Sequence, residues 1–157
     1  MNRLSLKTCC FTGHRTIPVK EIDTVVNNLN KAVLELIYEE FTHFLSGGAI
    51  GFDLLAASLI LTLKQQGHPI TLEFVIPHEN HCEYWNEKQR LLFHNLCAEA
   101  DAISVLAEKH FDGCVKKRNH HMVNHSTVCI SYLRKSISGT GQTVRYAVRN
   151  QLHIIRL

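Results

Sequence analysis

The apolar positions of this chain fall into two kinds of stretch that take turns from one end to the other. Leu6–Thr12, Thr42–Leu45, Ile70–Ile76, Asp101–Ala107, Thr127–Leu133 and His153–Leu157 are short runs of apolar character, which predicts six strands. Between the first two, Ile22, Val25, Val26, Leu29, Val33, Leu36, Ile37 and Phe41 recur at helical spacing, so Val19 to Glu40 reads as a helix. A second helix covers Phe52–Gln66 and is stopped by Gly67 and Pro69. Trp85, Leu92 and Leu96 mark a third, with Tyr84, Gln89 and Leu91 beside that stripe. Gly113–Asn124 is a fourth, and Val144, Ala147 and Val148 mark a fifth.

Strands alternating with helices, the strands apolar throughout, imply a parallel sheet covered on both faces. The expected fold is α/β: a single doubly wound, mostly parallel, Rossmann-like sheet spanning residues 1–157 as one domain, since no repeat, linker or low-complexity tract interrupts it. In such folds ligands bind outside the carboxyl ends of the strands, near the switch point in strand order. The informative residues therefore follow each strand.

Three of those loops combine glycine with hydroxyl or basic groups. After the first strand come Thr12, Gly13, His14 and Arg15, whose guanidinium fork suits a phosphate. After the second, Ser46, Gly47, Gly48 and Gly51 precede a helix with Asp53 in its first turn. The glycines serve either a tight strand-to-helix turn or the approach of a phosphate to backbone N–H groups. Asp53 is either a helix-dipole complement or a ribose ligand, and Gly51 is expected to let helix and strand pack closely. This loop is neither GxGxxG nor GxxxxGK[ST], so the usual dinucleotide fingerprint and the Walker A loop are both absent. After the fifth strand, Ser138, Gly139, Thr140 and Thr143 form a second candidate cradle at a helix start. On the fourth helix, Met122 and Val123 must face the sheet, which turns Arg118 and Asn119 toward the cleft.

Charge sharpens this picture. Residues 1–100 carry 8 Lys+Arg against 11 Asp+Glu, and residues 101–157 carry 9 against 3, so the second part should attract anions. Apolar residues at 45% and charged residues at 20% are ordinary for a globular protein, and no window approaches the length of a membrane span. The six cysteines form no CxxC pair and the N-terminus has no signal-peptide pattern, so we expect reduced thiols and a cytoplasmic protein. Among the histidine-bearing stretches only HENHC (His78, Glu79, His81 and Cys82) resembles a metal cluster, and no second cluster completes it, so no metal is expected. No Ser-His-Asp order or nucleophile elbow is present.

Taken in order, CCFTGHR, FLSGGAIGFDLLAA, VIPHENHCEYW, EADAISVL, KRNHHMVNHS and SGTGQTVRYA resemble the YpsA-like branch of the SLOG superfamily from about Thr8 to Ala147. Relatives in that superfamily include the Lonely Guy phosphoribohydrolases and DNA-processing protein A. The resemblance implies a Rossmann-like fold and a pocket for a nucleotide or nucleotide derivative, related to NAD or ADP-ribose. Gly13, His14 and Arg15 fall on the family's TGHR, and Gly47, Gly48, Gly51 and Asp53 on its GGAxGxD. Trp85 matches the tryptophan after the third strand, Arg118 and Asn119 its RN pair, and Gly139, Thr140, Thr143 and Ala147 its GGTxxTxxxA. Ser138 stands where a first glycine is usual and Asn124 where an aspartate is.

The expectation is thus a nucleotide-derivative binding or sensing domain that requires no cofactor and binds a small nucleotide-type ligand. A phosphoribohydrolase is the first alternative. Lonely Guy enzymes carry a glutamate in PGGxGTxxE where this chain has Arg145 and Tyr146, leaving Glu79 and Asp112 as the candidate catalytic carboxylates. Single-stranded nucleic-acid binding is the second alternative, with Tyr132, Tyr146 and Phe111 as its only stacking candidates, and so is not expected to be the function. Membrane association is not expected, and a homo-oligomer is left open.

Overall fold

The computed structural model describes residues 7–157. Leu6, placed above in the first strand, lies outside the described residues. Six strands form one wholly parallel sheet: β1 Thr8–Gly13, β2 His43–Ser46, β3 Thr71–Ile76, β4 Ala102–Val105, β5 Val128–Tyr132 and β6 His153–Arg156. The helices are α1 Val19–Tyr38, α2 Phe52–Gln65, α3 Glu87–Glu99, α4 Cys114–Asn124 and α5 Gly139–Arg149. Among the described residues no helix is long and apolar enough to cross a membrane.

Strand order is β4-β3-β2-β1-β5-β6. The chain winds outward from β1 to β4 and then returns to place β5 on the other side of β1. That reversal makes β1 and β5 the switch point, and their register (Thr12 opposite Ser131, Gly13 opposite Tyr132) brings both carboxyl ends to one level. Side chains alternate across a strand, so Cys9 and Phe11 point into a core with α1, α2 and Phe93 of α3. Cys10 points the other way, with Cys129, into a smaller core closed by Met122 and Val123 of α4 and Ala147 of α5. Helices therefore cover both faces. The larger core is aromatic at its centre: Phe11 stacks on Phe44 at 6.0 Å, and Phe52 stacks on Tyr132 at 5.9 Å.

Two sequence expectations fail. Trp85 is not in α3, which begins after it behind the Asn86 cap, where Asn86 and Gln89 exchange the two hydrogen bonds of a capping box. The buried anchor of that helix is Phe93, while Leu92 is exposed. Tyr132 is fully buried, so it offers no face for stacking on a ligand.

Candidate functional site

A cleft of about 340 Å3 opens at the switch point. The turn after β1 contributes Thr12, Gly13, His14 and Arg15. Ala49 and Asp53 enter from the loop and first turn of α2, Val115, Arg118 and Asn119 from α4, and Ser138, Gly139 and Thr140 from the start of α5. Phe11, Ala49 and Val115 also line it, and their apolar side chains carry no signal of chemistry in a sequence. Loops far apart in the chain thus meet around one hollow.

Arg118 is its most constrained member. The side chain is 3% exposed. Its Nε donates to Asn119 Oδ1 at 2.7 Å, and its Nη1 donates to the Gly47 carbonyl. Asn119 therefore orients the guanidinium. Asp53, also buried, accepts a hydrogen bond from the Ala49 N–H at 3.3 Å. Burial pushes its carboxyl up to about 6, against the opposing pull of Arg118, the Ala49 N–H and Arg15. Desolvation lowers the Arg118 pKa from its ordinary value, yet a guanidinium remains charged at any physiological pH. Arg15 stands exposed at the rim, and its side chain has no hydrogen-bond or ion-pair partner among the described residues.

The glycine loop after β2 works for the fold rather than for the cleft. Ser46 Oγ donates to the Asp53 carbonyl at 2.9 Å and accepts from the Gly48 N–H at 3.2 Å, so its hydroxyl is occupied. Gly48 packs against Phe93, Ile76 and Phe74. A Cβ on Gly47 would lie 2.6 Å from Arg118 Nη1 and 2.7 Å from Asp53 Oδ2, so this glycine lets the two charged groups approach. Gly51 has φ +83° and lies against the backbone of Arg15, not the strand as expected. None of these four lines the cleft.

Two further expected ligands are engaged elsewhere. His14 borders the cleft, but its Nε2 accepts from the Arg134 and Lys135 N–H groups at 2.7 and 3.1 Å, which ties the β1 turn to the loop after β5. Burial and the charges of Lys135 and Arg134 lower its pKa and keep it neutral, as an acceptor must be. Thr143 donates back to the Gly139 carbonyl at 3.0 Å and is buried in α5. Ser138 caps α5 by accepting from the Gly141 N–H at 3.0 Å, so the helix start is fixed even without the usual glycine there. Gly139, by contrast, has nothing within 4 Å of its would-be side chain.

Glu79 and Asp112 are exposed and neither lines the cleft. The carboxyl that does is Asp53. His78, Glu79, His81 and Cys82 also fail to converge: His81 Nε2 bonds the Gly48 carbonyl at 2.8 Å, and Cys82 Sγ lies 3.9 Å from His94 Nε2. Among the described residues, no group of three or more His, Cys, Asp or Glu is placed to hold a metal ion.

Residues 9–153 match the YpsA family model, that of the YspA SLOG family. The chain belongs to this SLOG family. A UPF0398 protein of Halalkalibacterium halodurans is 29% identical over 130 residues, which cover 77% of this chain and 69% of the relative. The SPbeta prophage-derived protein YoqJ of Bacillus subtilis is 27% identical over 139 residues, 80% of this SLOG chain and 81% of the relative. Among solved structures, DNA processing protein A from Helicobacter pylori, described in its single-stranded DNA binding mode, superposes with a TM-score of 0.67 at 19% identity over 97% of this chain. The Streptococcus pneumoniae counterpart gives 0.69 at 18% identity over 98%. This SLOG chain spans 65% and 50% of those two solved chains, which share its fold.

Asp53 and His81 should leave opposite marks on stability. The Asp53 pKa is raised from 3.8 to about 6, so its protonated form favours the fold at low pH and that contribution is lost as pH rises through this window. By linkage it amounts to about 3 kcal/mol. His81, lowered from 6.5 to about 4 chiefly by burial, does the reverse: its contribution is present above 6.5 and lost as pH falls toward 4. Urea unfolding of the native chain should therefore vary little between pH 4 and 6.5 on account of this pair. Asp53→Asn should expose a rise with pH, and His81→Gln a fall. Parallel profiles for all three proteins would show that neither group titrates as assigned.

Proposed function

We propose that the switch-point cleft binds the phosphate and sugar of a nucleotide or nucleotide derivative. The observation that carries this reading is the convergence of Arg15, Arg118 and the open start of α5 at Gly139 and Thr140 around one hollow. A helix start offers N–H groups and a positive dipole end to an anion. Asp53 and Asn119 supply acceptors for sugar hydroxyls beside those cations. A volume of about 340 Å3 is at the small end of ligand pockets, which run to about 1,000 Å3. It suits a mononucleotide, with any second nucleotide of an NAD-like ligand left outside.

Calorimetric titration with AMP, ADP-ribose and NAD tests this. AMP should bind, and ADP-ribose should gain little over it. Arg15→Gln should weaken binding by about tenfold to a hundredfold, the worth of a charge-assisted phosphate contact. Absence of heat with every nucleotide would reject the reading.

N-glycosidic hydrolysis is a second reading, favoured by the raised pKa of Asp53 inside the cleft. A carboxyl near 6 can deliver or take a proton at neutral pH. Release of free base from a nucleoside monophosphate, lost in Asp53→Asn, is the required result.

A further inference from the structure

From residue 113 to residue 157 the chain contains eight Lys and Arg and no Asp or Glu. This stretch includes all of α4 and α5, which pack side by side in the smaller core. Their outward faces enclose a groove of about 560 Å3, separate from the switch-point cleft, lined by Lys116 and His120 of α4 and by Arg145, Tyr146 and Arg149 of α5 among others. The helical repeat puts these on one face: 116 and 120 are four apart, and 145 and 149 are also four apart. A second depression along α4 shares Lys116 and His120 and adds Lys117. The two depressions meet at Lys116 and His120 and lie along α4, an eleven-residue helix about 16 Å long.

The floor of the groove is aromatic. His120 and Tyr146 stack with ring centroids 3.6 Å apart and planes within 9°. The Tyr146 hydroxyl donates to Asn124 Oδ1 at 2.8 Å, which fixes the phenol ring. Burial and the charges of Lys116 and Arg149 lower the His120 pKa, so the imidazole is neutral at pH 7 and the pair is a flat, uncharged platform between cations. Lys116 and Arg149 have no carboxylate or other hydrogen-bond acceptor among the described residues. Arg145, in contrast, donates to the Ser136 carbonyl at 3.0 Å and helps hold the loop before α5.

Cations without counterions on either side of a flat aromatic pair match alternating phosphates and bases. A duplex would present phosphates but no open base. We infer that the α4–α5 groove is a binding track for single-stranded nucleic acid, with Lys116 and Arg149 on phosphates and the His120–Tyr146 pair under a base. This surface is independent of the nucleotide reading of the switch-point cleft.

Fluorescence anisotropy of the full chain with labelled oligothymidylate, oligouridylate and a duplex, over a series of salt concentrations, tests it. Both single strands should bind more tightly than the duplex, and a preference between them identifies DNA or RNA as the source. Lys116→Gln/Arg149→Gln should reduce the slope of log affinity against log salt by about 1.4, or about 0.7 for each phosphate contact removed. His120→Leu should weaken binding at least about fivefold at every salt concentration, because it removes a stacking surface and no charge. Arg15→Gln, on the other cleft, should leave both quantities unchanged while still weakening AMP binding. Thermal unfolding of each variant checks its fold, and the His120→Leu result stands alone if the double variant is unstable. Equal affinity for single strand and duplex, or binding untouched by both groove changes, would overturn the assignment.

Discussion

Arg118→Met is expected to cost about 3–5 kcal/mol of stability at pH 8 and clearly less at pH 5. Removing one member of a buried charge pair leaves the other without compensation, and that is what makes the change expensive. Here the remaining member is Asp53, buried across the Gly47 backbone from the guanidinium. Its carboxyl is already raised to about 6 with Arg118 present, so without it protonation becomes easier still. Lowering the pH lets Asp53 neutralise and recovers part of the loss. Asp53→Asn/Arg118→Met should be more stable at pH 8 than Arg118→Met alone, giving a coupling energy in a double-mutant cycle. The same change should abolish AMP binding, since it removes a fixed cation from the floor of the cleft. Urea unfolding at the two pH values decides the stability claim; equal losses at both would separate Asp53 from Arg118.

Gly51→Ala is the second large effect, at about 2–6 kcal/mol. Its φ of +83° is a conformation that side chains resist, worth about 1–3 kcal/mol alone. The added methyl would also sit well under 3.0 Å from the Arg15 carbonyl, a backbone group that cannot swing aside, and overpacking of this kind adds about 1–3 kcal/mol. Gly67→Ala is the control. It has φ +98° but nothing within 4 Å, so it should show the strain alone. Denaturation midpoints that coincide for the two variants would show that contact with Arg15 carries no weight. Because Phe52 N–H also bonds the His14 carbonyl at 3.1 Å, a displaced Arg15 backbone would move the first wall of the cleft, and Gly51→Ala should weaken AMP binding as well.

The two glycine loops show how far residue types carry an argument. SGGAIGFD and SGTGQT look alike on paper as phosphate cradles. In the folded chain the first is filled: Gly47 makes room for Arg118, and Gly51 for the Arg15 backbone. Only the second leaves its glycine at position 139 open to the cleft. A glycine gives the same signal whether its missing side chain makes room for a ligand or for another part of the protein. The third helix misled for a related reason. It is mostly exposed, so its periodicity is weak, and the large Trp85 drew the pattern toward itself although one buried residue, Phe93, anchors the helix.

Local regularity was readable along the chain: six apolar runs, five helices, and a turn after each of the first five strands carrying polar or glycine residues. Those features depend on near neighbours, whose period of two or 3.6 residues is written directly into the residue order. Strand order was not readable, because it depends on which distant segments pair. That order sets β3 two strands away from β1, which takes Glu79 out of reach of the switch point; tertiary packing also sets Arg118 of α4 and Asp53 of α2 against the same glycine, Gly47, and stacks His120 of α4 on Tyr146 of α5. Burial then gave Asp53 a proton affinity that its position in a helix's first turn could not reveal, since desolvation belongs to the surroundings and not to the residue.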